Sequence, residues 1–501
     1  MKRHGIGLNA LLMDREPLIR RTEVPTMDPV ATSSAGATLD LAPLPITRGR
    51  LLDFADHPLA IMRNLIQTHG PVAALEQDGQ RLYFGFGPDF NQQLLSQPDL
   101  FHARFFAIRG PRQSAQRRLT GALLSMNGEE HKRHRRMVMA PFQKQAVASY
   151  RDALVGLVEE LAQVWHAGQE HDLHDEMTRY MLRVASSILF GFDLPELSFE
   201  IGEWTQRWVS RNHELGVGAI VPNAEITEEY EGLLRMAETL EGHILEMIAH
   251  RRRSGAPGHD VLSLLIRAHD QAGEQISDAE LIGQAAILFG AAHLTTANTL
   301  SWSLFLLAQH PAVATELVAE LSRVLGGQPP TVAQLDRLPV LDRVVRESMR
   351  VLPASAYVQR IATQPVALGP FELAKGAIVI FSQFITHHMA ELYPDPERFR
   401  PERWKTINPS PYAFLPFGAG PRMCLGGPLA LITIKITLAV LLQRFHFRVV
   451  PGSTVEGKVI STMLTPAAAL PVLLTEPSVP FRYAPVVGNI HELMELESEE
   501  V

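Results

Sequence analysis

The chain has 501 residues, of which 46% are apolar, and its 46 basic and 54 acidic side chains give a formal net charge of −8. This negative balance argues against a general nucleic-acid binder. The single cysteine excludes an intramolecular disulfide and a four-cysteine zinc or iron–sulfur site, so a metal bound through sulfur must take most of its ligands from elsewhere.

The two ends of the chain differ in composition from its middle. Residues 1–40 predict a flexible N-terminal extension, whose apolar stretch is too short for a membrane anchor and lacks a secretory cleavage pattern. We therefore expect a cytoplasmic protein. Residues 476–501 end in "HELMELESEEV" and predict an acidic tail that is either solvated or held by a local contact. Residues 41–475 predict one globular domain, because no linker divides them.

Hydrophobic periodicity predicts more helix than strand in this domain. Helical patterns cover Ala146–Ala167, Ile226–Arg253 and Leu338–Val351, and extended segments are expected near 81–86, 365–381 and 464–474. The expected fold class is mainly α with a small β region.

A long helix is predicted from Ser277 to His310. Ser277 and Glu280 form a capping box at its start, and Pro311 ends it. It contains no charge after Glu280, which is also typical of a membrane span. Its middle, however, carries a polar cluster that would be costly against lipid, so we expect a helix through a protein core. The cluster comprises His293, Thr295, Thr296, Asn298 and Thr299.

Three motifs follow in order towards the C-terminus. Glu347 and Arg350 lie three apart on one helical face, where such pairs are most often solvated. "FRPERW" contains Arg403 in a proline-rich stretch that would ordinarily be a surface loop. "FLPFGAGPRMCLGGPLA" sets the only cysteine, Cys424, among glycines just before an apolar helix. A buried, inert thiol would not need that setting.

This order of motifs resembles the cytochrome P-450 superfamily of haem-thiolate enzymes. "FGAGPRMCLG" fits the haem-binding pattern, and "GEEHKRHRR" (128–136) fits the helix that covers a haem propionate. The resemblance implies a cytochrome P-450 fold with haem b between the long central helix and the helix after the cysteine loop. Cys424 would be the iron ligand, and its thiolate would favour cleavage of the O–O bond.

The resemblance also implies roles for other residues. The cofactor-binding residues would be His131, Arg135, Arg360, Phe417, Arg422 and Cys424. Glu347, Arg350 and Arg403 would form a structural ion-pair network. Thr295 would be the catalytic alcohol above the iron. The substrate pocket would be lined by Phe105, Phe106, Ala291, Leu294, Val358 and Met463. This lining is mainly apolar and indicates a hydrophobic substrate such as a fatty acid, terpenoid or polyketide.

The long helix departs from the family pattern at one position. Leu294 stands where the family usually has an acid before the threonine, and leucine cannot transfer a proton. Ordered water, a substrate hydroxyl or Thr295 alone can substitute. The side chain of His293 leaves the helix in a neighbouring direction, so it does not easily substitute for the acid.

The leading hypothesis is thus a monooxygenase that takes O2 and receives electrons from a separate ferredoxin or flavodoxin, and that is a monomer. A peroxygenase, or a haem-thiolate isomerase or dehydratase, is the alternative that Leu294 favours. A haem protein that only binds a ligand is the third hypothesis.

Overall fold

The computed structural model describes residues 44–104, 108–218, 227–254, 258–269 and 272–496. Helices dominate these ranges, and the strands form small sheets, which confirms the fold class expected from the sequence. The predicted N-terminal extension lies outside the described residues. The helices are α1 (Leu51–Asp56), α2 (Pro58–His69), α3 (Pro88–Ser96), α4 (Ala115–Thr120), α5 (Gly128–Val138), α6 (Lys144–Ser149), α7 (Arg151–Val164), α8 (Leu173–Phe190), α9 (Pro195–Gly218), α10 (Thr227–Ser254), α11 (Val261–Ile266), α12 (Asp278–Gln309), α13 (Pro311–Leu325), α14 (Val332–Leu335), α15 (Pro339–Val351), α16 (Gln383–His387), α17 (Gly427–Arg444) and α18 (Ile490–Leu493).

The strands form one larger sheet and three small ones. The strands are β1 (Ile46–Arg48), β2 (Val72–Gln77), β3 (Gln80–Gly85), β4 (Phe101–Ala103), β5 (Glu170–Asp172), β6 (Val358–Ala362), β7 (Val366–Leu368), β8 (Phe371–Leu373), β9 (Ile378–Phe381), β10 (His446–Val449), β11 (Gly457–Ile460), β12 (Met463–Pro466) and β13 (Pro471–Thr475). The larger sheet has the order β1-β2-β3-β9-β6-β4, and the small ones are β10-β13-β5, β11-β12 and β7-β8.

Helix α12 crosses the centre of the core, as its charge-free sequence predicts. Both halves of the capping box are present, with the Ser277 side chain accepting from the Glu280 backbone N–H. Nearly all of its side chains are buried except over a short stretch in the middle. Another helix, α17, is apolar and long enough to cross a membrane, and 61% of it is buried in the protein, as in the core of a globular fold.

One predicted helix is two in the structure. The pattern over Ala146–Ala167 is divided at Tyr150, which ends α6 and precedes α7, and the second helix stops at Val164. Trp165 then adopts an extended backbone and packs against Phe445 and Phe447. These contacts come from distant parts of the chain, so the local periodicity could not predict where the helix stops.

Glu347 holds a buried ion-pair network next to the cysteine loop. Its carboxylate accepts from Arg350 at 2.8 and 3.0 Å, from Arg403 Nε at 2.9 Å and from Trp404 Nε1 at 2.9 Å. Glu347 and Arg350 have no exposed side-chain surface, so this pair is not a solvated decoration. Arg350 also donates to three backbone carbonyl groups in the loops that follow, those of His387, Pro396 and Arg398. The network therefore fixes the proline-rich segment to α15.

The C-terminal segment packs on the domain as far as Leu496, the last residue described there. Ile490 and Met494 are buried, Val487 O accepts from Val455 N at 2.8 Å, and Glu495 pairs with Arg398. The acidic composition left two alternatives open, a solvated tail or a tail held by a local contact. The described part of this segment makes a local contact. The placement of its boundary after residue 475 stays a prediction.

Gly488→Ala tests this packing. Gly488 has φ +111°, and a Cβ there would lie 2.4 Å from the Val455 carbonyl oxygen, whereas a Cβ at Gly452 (φ +77°) would meet nothing within 4 Å. Both changes introduce the same kind of backbone strain, but only Gly488→Ala adds a clash, which should cost roughly 1–3 kcal/mol more. Calorimetry should show a melting temperature about 1–3 °C lower for Gly488→Ala than for Gly452→Ala, since the shift per kcal/mol is small in a domain of this size. Equal melting temperatures would contradict the observed packing.

Candidate haem-thiolate site

The cysteine loop brings backbone N–H groups to the sulfur of Cys424. Gly420 has φ +70°, and a Cβ there would lie 2.3 Å from the Leu95 carbonyl oxygen, so the turn requires glycine. Cys424 N donates to Phe417 O at 2.8 Å, which closes the loop. The N–H groups of Gly426 and Gly427 lie close enough to the thiol, at the start of α17, to act against the rise of its pKa. The sulfur thus lies at the positive end of an 18-residue helix.

The Cys424 side chain is open on one side only. The residue is exposed, yet burial by the surrounding protein raises the pKa of its thiol. The hydrogen bond from Gly426 and the charge of Arg135 act in the opposite direction. A thiol in such a concave place stays protonated until a metal coordinates it, because coordination deprotonates it outright. Among the described residues, no group of three or more His, Cys, Asp or Glu could hold a metal ion without a cofactor.

A second open surface occurs in the middle of α12. The helix is buried up to Phe289 and again from Thr296, while Gly290, Ala291, Leu294 and Thr295 are partly or fully exposed. Because the stretches on either side, Leu281–Phe289 and Thr296–Gln309, are buried in the core, the exposed residues between them must border an internal space. Helix α12 packs against α17, the helix that follows Cys424.

Thr295 is bonded within its own helix. Its hydroxyl donates to the Ala291 carbonyl oxygen at 2.8 Å, and the Thr299 hydroxyl donates to Thr295 O at 2.9 Å. Side-chain bonds of this kind bend a helix and open it locally. The Thr295 oxygen keeps its lone pairs to accept a hydrogen bond from water or substrate.

His293 points away from this opening. Its Nε2 donates to the Thr178 carbonyl oxygen at 2.9 Å, and burial lowers its pKa to about 4, so the ring is neutral at pH 7. It therefore anchors α12 to α8. His293 therefore does not substitute for the acid that the family usually has at position 294. This agrees with the direction in which its side chain leaves the helix.

Three arginines and one histidine named by the resemblance lie close enough to influence one another's pKa. Burial and the charge of Arg135 lower the pKa of Arg422 to about 10, and burial and Arg422 lower that of Arg360 to about 10. Burial, Arg422 and Arg135 also lower the pKa of His131 to about 4. In the described ranges, no carboxylate forms an ion pair with these three arginines. This cluster lacks a counter-charge, and a dianion such as the two propionates of haem fits it.

Hydrogen bonds hold these side chains in place. Arg135 donates to the Met423 carbonyl oxygen at 2.8 Å, beside the cysteine. Arg422 donates to Asn127 Oδ1 at 2.6 Å, and Arg360 lies over the Phe381 ring. On α5, His131 is buried, whereas Lys132 pairs with Glu129 outside, as helical spacing predicts.

Sequence reasoning missed two members of this cluster. His102 in β4 has a lowered pKa, first through burial and then through the charge of Arg422, so it lies beside the cationic group. Asn127 accepts from Arg422 and from Ala103 N at 2.9 Å, and so joins α5 to β4. His102 belongs to the segment "FHARFFAIRG", whose histidine was the only signal in the sequence.

The predicted pocket residues come from several elements. Ala291 and Leu294 line the opening of α12, and Val358 begins β6. Met463 begins β12 and forms a bridge with Ser355, while Trp302 Nε1 donates to the next carbonyl oxygen, that of Leu464, at 3.2 Å. These bonds bring β12 against both α12 and the segment before β6. Phe417 lies against the start of α17, and Phe105 and Phe106 lie outside the described residues.

A family model described as cytochrome P450 matches residues 42–472. The chain belongs to the cytochrome P450 family. Cyclooctat-9-en-7-ol 5-monooxygenase from Streptomyces melanosporofaciens is 31% identical over 79% of this chain and 88% of its own length. Cyclooctatin synthase from the same organism is 29% identical (82% and 90% covered), and pentalenene oxygenase from Streptomyces avermitilis is 26% identical (82% and 91% covered).

Solved structures agree with this assignment. The retinoic acid bound cyanobacterial CYP120A1 superposes with a TM-score of 0.74 at 25% identity, covering 85% of this chain and 96% of that one. The cytochrome P450DA heme domain gives the same TM-score and identity. The fold is therefore that of a P450, and the chain is a P450 monooxygenase with a haem-thiolate cofactor.

Cys424→Ser tests the thiolate. Oxygen replaces sulfur at nearly equal size, so we expect the reduced carbon monoxide complex to lose its red-shifted Soret band and activity to be lost, because the band depends on the thiolate. Met423→Leu, at the neighbouring side chain that is 49% exposed, is the matched control and should keep the band. A red-shifted band that persists in Cys424→Ser would exclude Cys424 as the ligand.

Proposed function

We propose that this P450 inserts one oxygen atom of O2 into a hydrophobic terpenoid and takes its electrons from a separate ferredoxin or flavodoxin. The observation that carries this proposal is the open stretch of α12, where the hydroxyl of Thr295 lies beside the apolar side chains of Ala291 and Leu294. Such a lining favours a hydrocarbon skeleton held by few polar contacts. The names of three related proteins, which refer to cyclooctat-9-en-7-ol, cyclooctatin and pentalenene, favour terpenoids over fatty acids and polyketides.

Haem b is the cofactor that we propose, with Cys424 as its axial ligand. The Gly426 and Gly427 N–H groups would stabilise the thiolate, and His131, Arg135, Arg360 and Arg422 would bind the propionates. When bound, haem supplies the chemistry that activates O2 and delivers one oxygen atom. The chain itself excludes bulk water and presents the substrate beside Thr295, whose lone pairs hold a water in place.

The electron donor is expected to be a separate protein, because the only cysteine is the proposed iron ligand. Basic residues that point outward on α5, such as Lys132 and Arg136, would help to dock an acidic donor near Cys424. We further propose that the protein is a cytoplasmic monomer.

The substrate class can be tested with three probes. Cyclooctat-9-en-7-ol and pentalenene should displace water from the haem site and shift the haem absorption, because their bulk fits an apolar opening. With a ferredoxin, its reductase and NADPH, the product should carry one ¹⁸O atom from ¹⁸O2 by mass spectrometry. Lauric acid serves as the control of another class. A shift and a product with lauric acid alone would overturn the terpenoid proposal.

Leu294 favours a second candidate, a peroxygenase or a haem-thiolate isomerase or dehydratase, since these need no proton delivery to O2. The source of the electrons distinguishes this second candidate from the monooxygenase. We expect product with NADPH and redox proteins in the presence of catalase, because the chain reduces O2. Product that forms only with added hydrogen peroxide, or without any reductant, would favour the second candidate instead.

A further inference from the structure

One turn beyond Leu294, the buried Asn298 is the inner end of a row of polar side chains. Thr465 Oγ1 donates to Asn298 Oδ1 at 3.2 Å, and His174 Nε2 lies 3.4 Å from Thr465 Oγ1. The threonine hydroxyl has one hydrogen, which Asn298 receives, so His174 must donate through Nε2. The neutral imidazole then has an unprotonated Nδ1.

Two polar atoms beside this row have no hydrogen-bond partner among the described residues. His174 Nδ1 and Thr178 Oγ1 are buried and unpaired, and they lie one turn apart on the same face of α8. An unpaired buried group of this kind destabilises the fold unless water satisfies it. A buried site with several polar partners is where ordered water is found. The row therefore has the composition of a wet channel between α8, α12 and β12.

The row leads from two partly exposed side chains to the turn of α12 that forms the opening. His174 and Thr465 are partly exposed, whereas Asn298 is 1% exposed and lies one turn from both Leu294 and Thr295. Thr465 lies two residues after Met463 in β12, so both side chains are on the same face of that strand.

We propose that His174 and Thr465, with ordered water, carry protons from solvent to the turn at Leu294 and Thr295, and that Asn298 is the positioning residue that orients the Thr465 hydroxyl. We call these three residues the His174 row. In this proposal, the His174 row takes over the proton transfer of the acid that the family usually has at the position of Leu294. The proposal rests on the use of O2 under the proposed function, since splitting O2 to water consumes two protons.

The proton balance of this row is simple. The Thr465 hydroxyl first turns from Asn298 Oδ1 to a water on the side of α12. A water then gives a proton to His174 Nδ1 while Nε2 passes its own to Thr465 Oγ1, whose hydroxyl proton moves to the water on the side of α12. One proton enters and one leaves, and no electrons move. Ring rotation restores the first tautomer.

The groups around His174 suit this role. Burial lowers the pKa of His174, while Asp172 and Asp175 of the adjoining turn act in the opposite direction. The neutral ring accepts a proton, and the nearby carboxylates favour the charged form that follows. His293, which also faces this region, is already neutral and is bonded to the Thr178 carbonyl oxygen.

Thr465→Val and Thr465→Ser form the decisive pair. Valine keeps the shape and removes the hydroxyl, whereas serine keeps the hydroxyl. With redox proteins, NADPH and whichever of cyclooctat-9-en-7-ol and pentalenene shifts the haem band, Thr465→Val should release about tenfold more hydrogen peroxide per NADPH, since general-acid delivery contributes at least that much. Thr465→Ser should behave like the unaltered protein, and both variants should keep the substrate-induced shift.

Two further variants check the assignment. Ser303→Ala removes another buried hydroxyl of α12, one bonded to Thr299 O within the helix, and should not change the peroxide yield. Leu294→Glu combined with Thr465→Val should lower that yield again, because a carboxyl group returns to the expected position of the acid. A Thr465→Val variant with an unchanged peroxide yield would overturn the inference while leaving the monooxygenase proposal intact.

A crystal structure supplies a readout that does not depend on turnover. It should show a water bonded to both His174 Nδ1 and Thr178 Oγ1. A dry site there would overturn the inference even if the unaltered protein showed no NADPH-driven turnover, which by itself would refute only the proposed function.

Discussion

The structure depends on holding one sulfur atom in a place that is closed on every side but one. The loop around Cys424 turns tightly at Gly420 against the Leu95 backbone and directs two N–H groups at the sulfur. Burial alone disfavours a thiolate, so the loop is arranged for a ligand that a metal deprotonates. The cationic cluster is likewise arranged for a ligand. Its arginines Arg135, Arg360 and Arg422 repel one another until an anion binds between them.

The loop keeps this shape because a separate network fixes the chain before it. The buried Glu347 carboxylate accepts hydrogen bonds of 2.8–3.0 Å from two arginines and an indole N–H. Arg350 in turn donates to three backbone carbonyl groups. Removing one partner from such a buried network costs about 3–5 kcal/mol, since a charge is left unpaired. The network therefore has a structural role and lies outside the chemistry.

The opening of α12 combines two opposite requirements. Substrate binding favours apolar walls, and Ala291 and Leu294 provide them, whereas reduction of O2 requires protons at the same turn. Under the proposed proton route, the two needs are met at successive turns of one helix. Leu294 and Thr295 border the opening, while Asn298, one turn on, reaches a polar row that also touches α8 and β12. An apolar residue at 294 is then compatible with oxygen chemistry.

The sequence by itself determined the fold class, the family, the capped central helix and the cysteine loop, because each is encoded by neighbouring residues: Ser277 with Glu280, Glu347 with Arg350, glycines around Cys424. The Thr295 bond to Ala291 follows from helical spacing for the same reason. Tertiary structure decided what depends on contacts between distant residues. Trp165 ends a helix by packing on Phe445, His102 joins the cationic cluster through Arg422, residues up to Leu496 fold back onto the domain, and His174 meets Asn298 through Thr465. No local pattern carries these pairings, since each is set by how whole helices and strands pack.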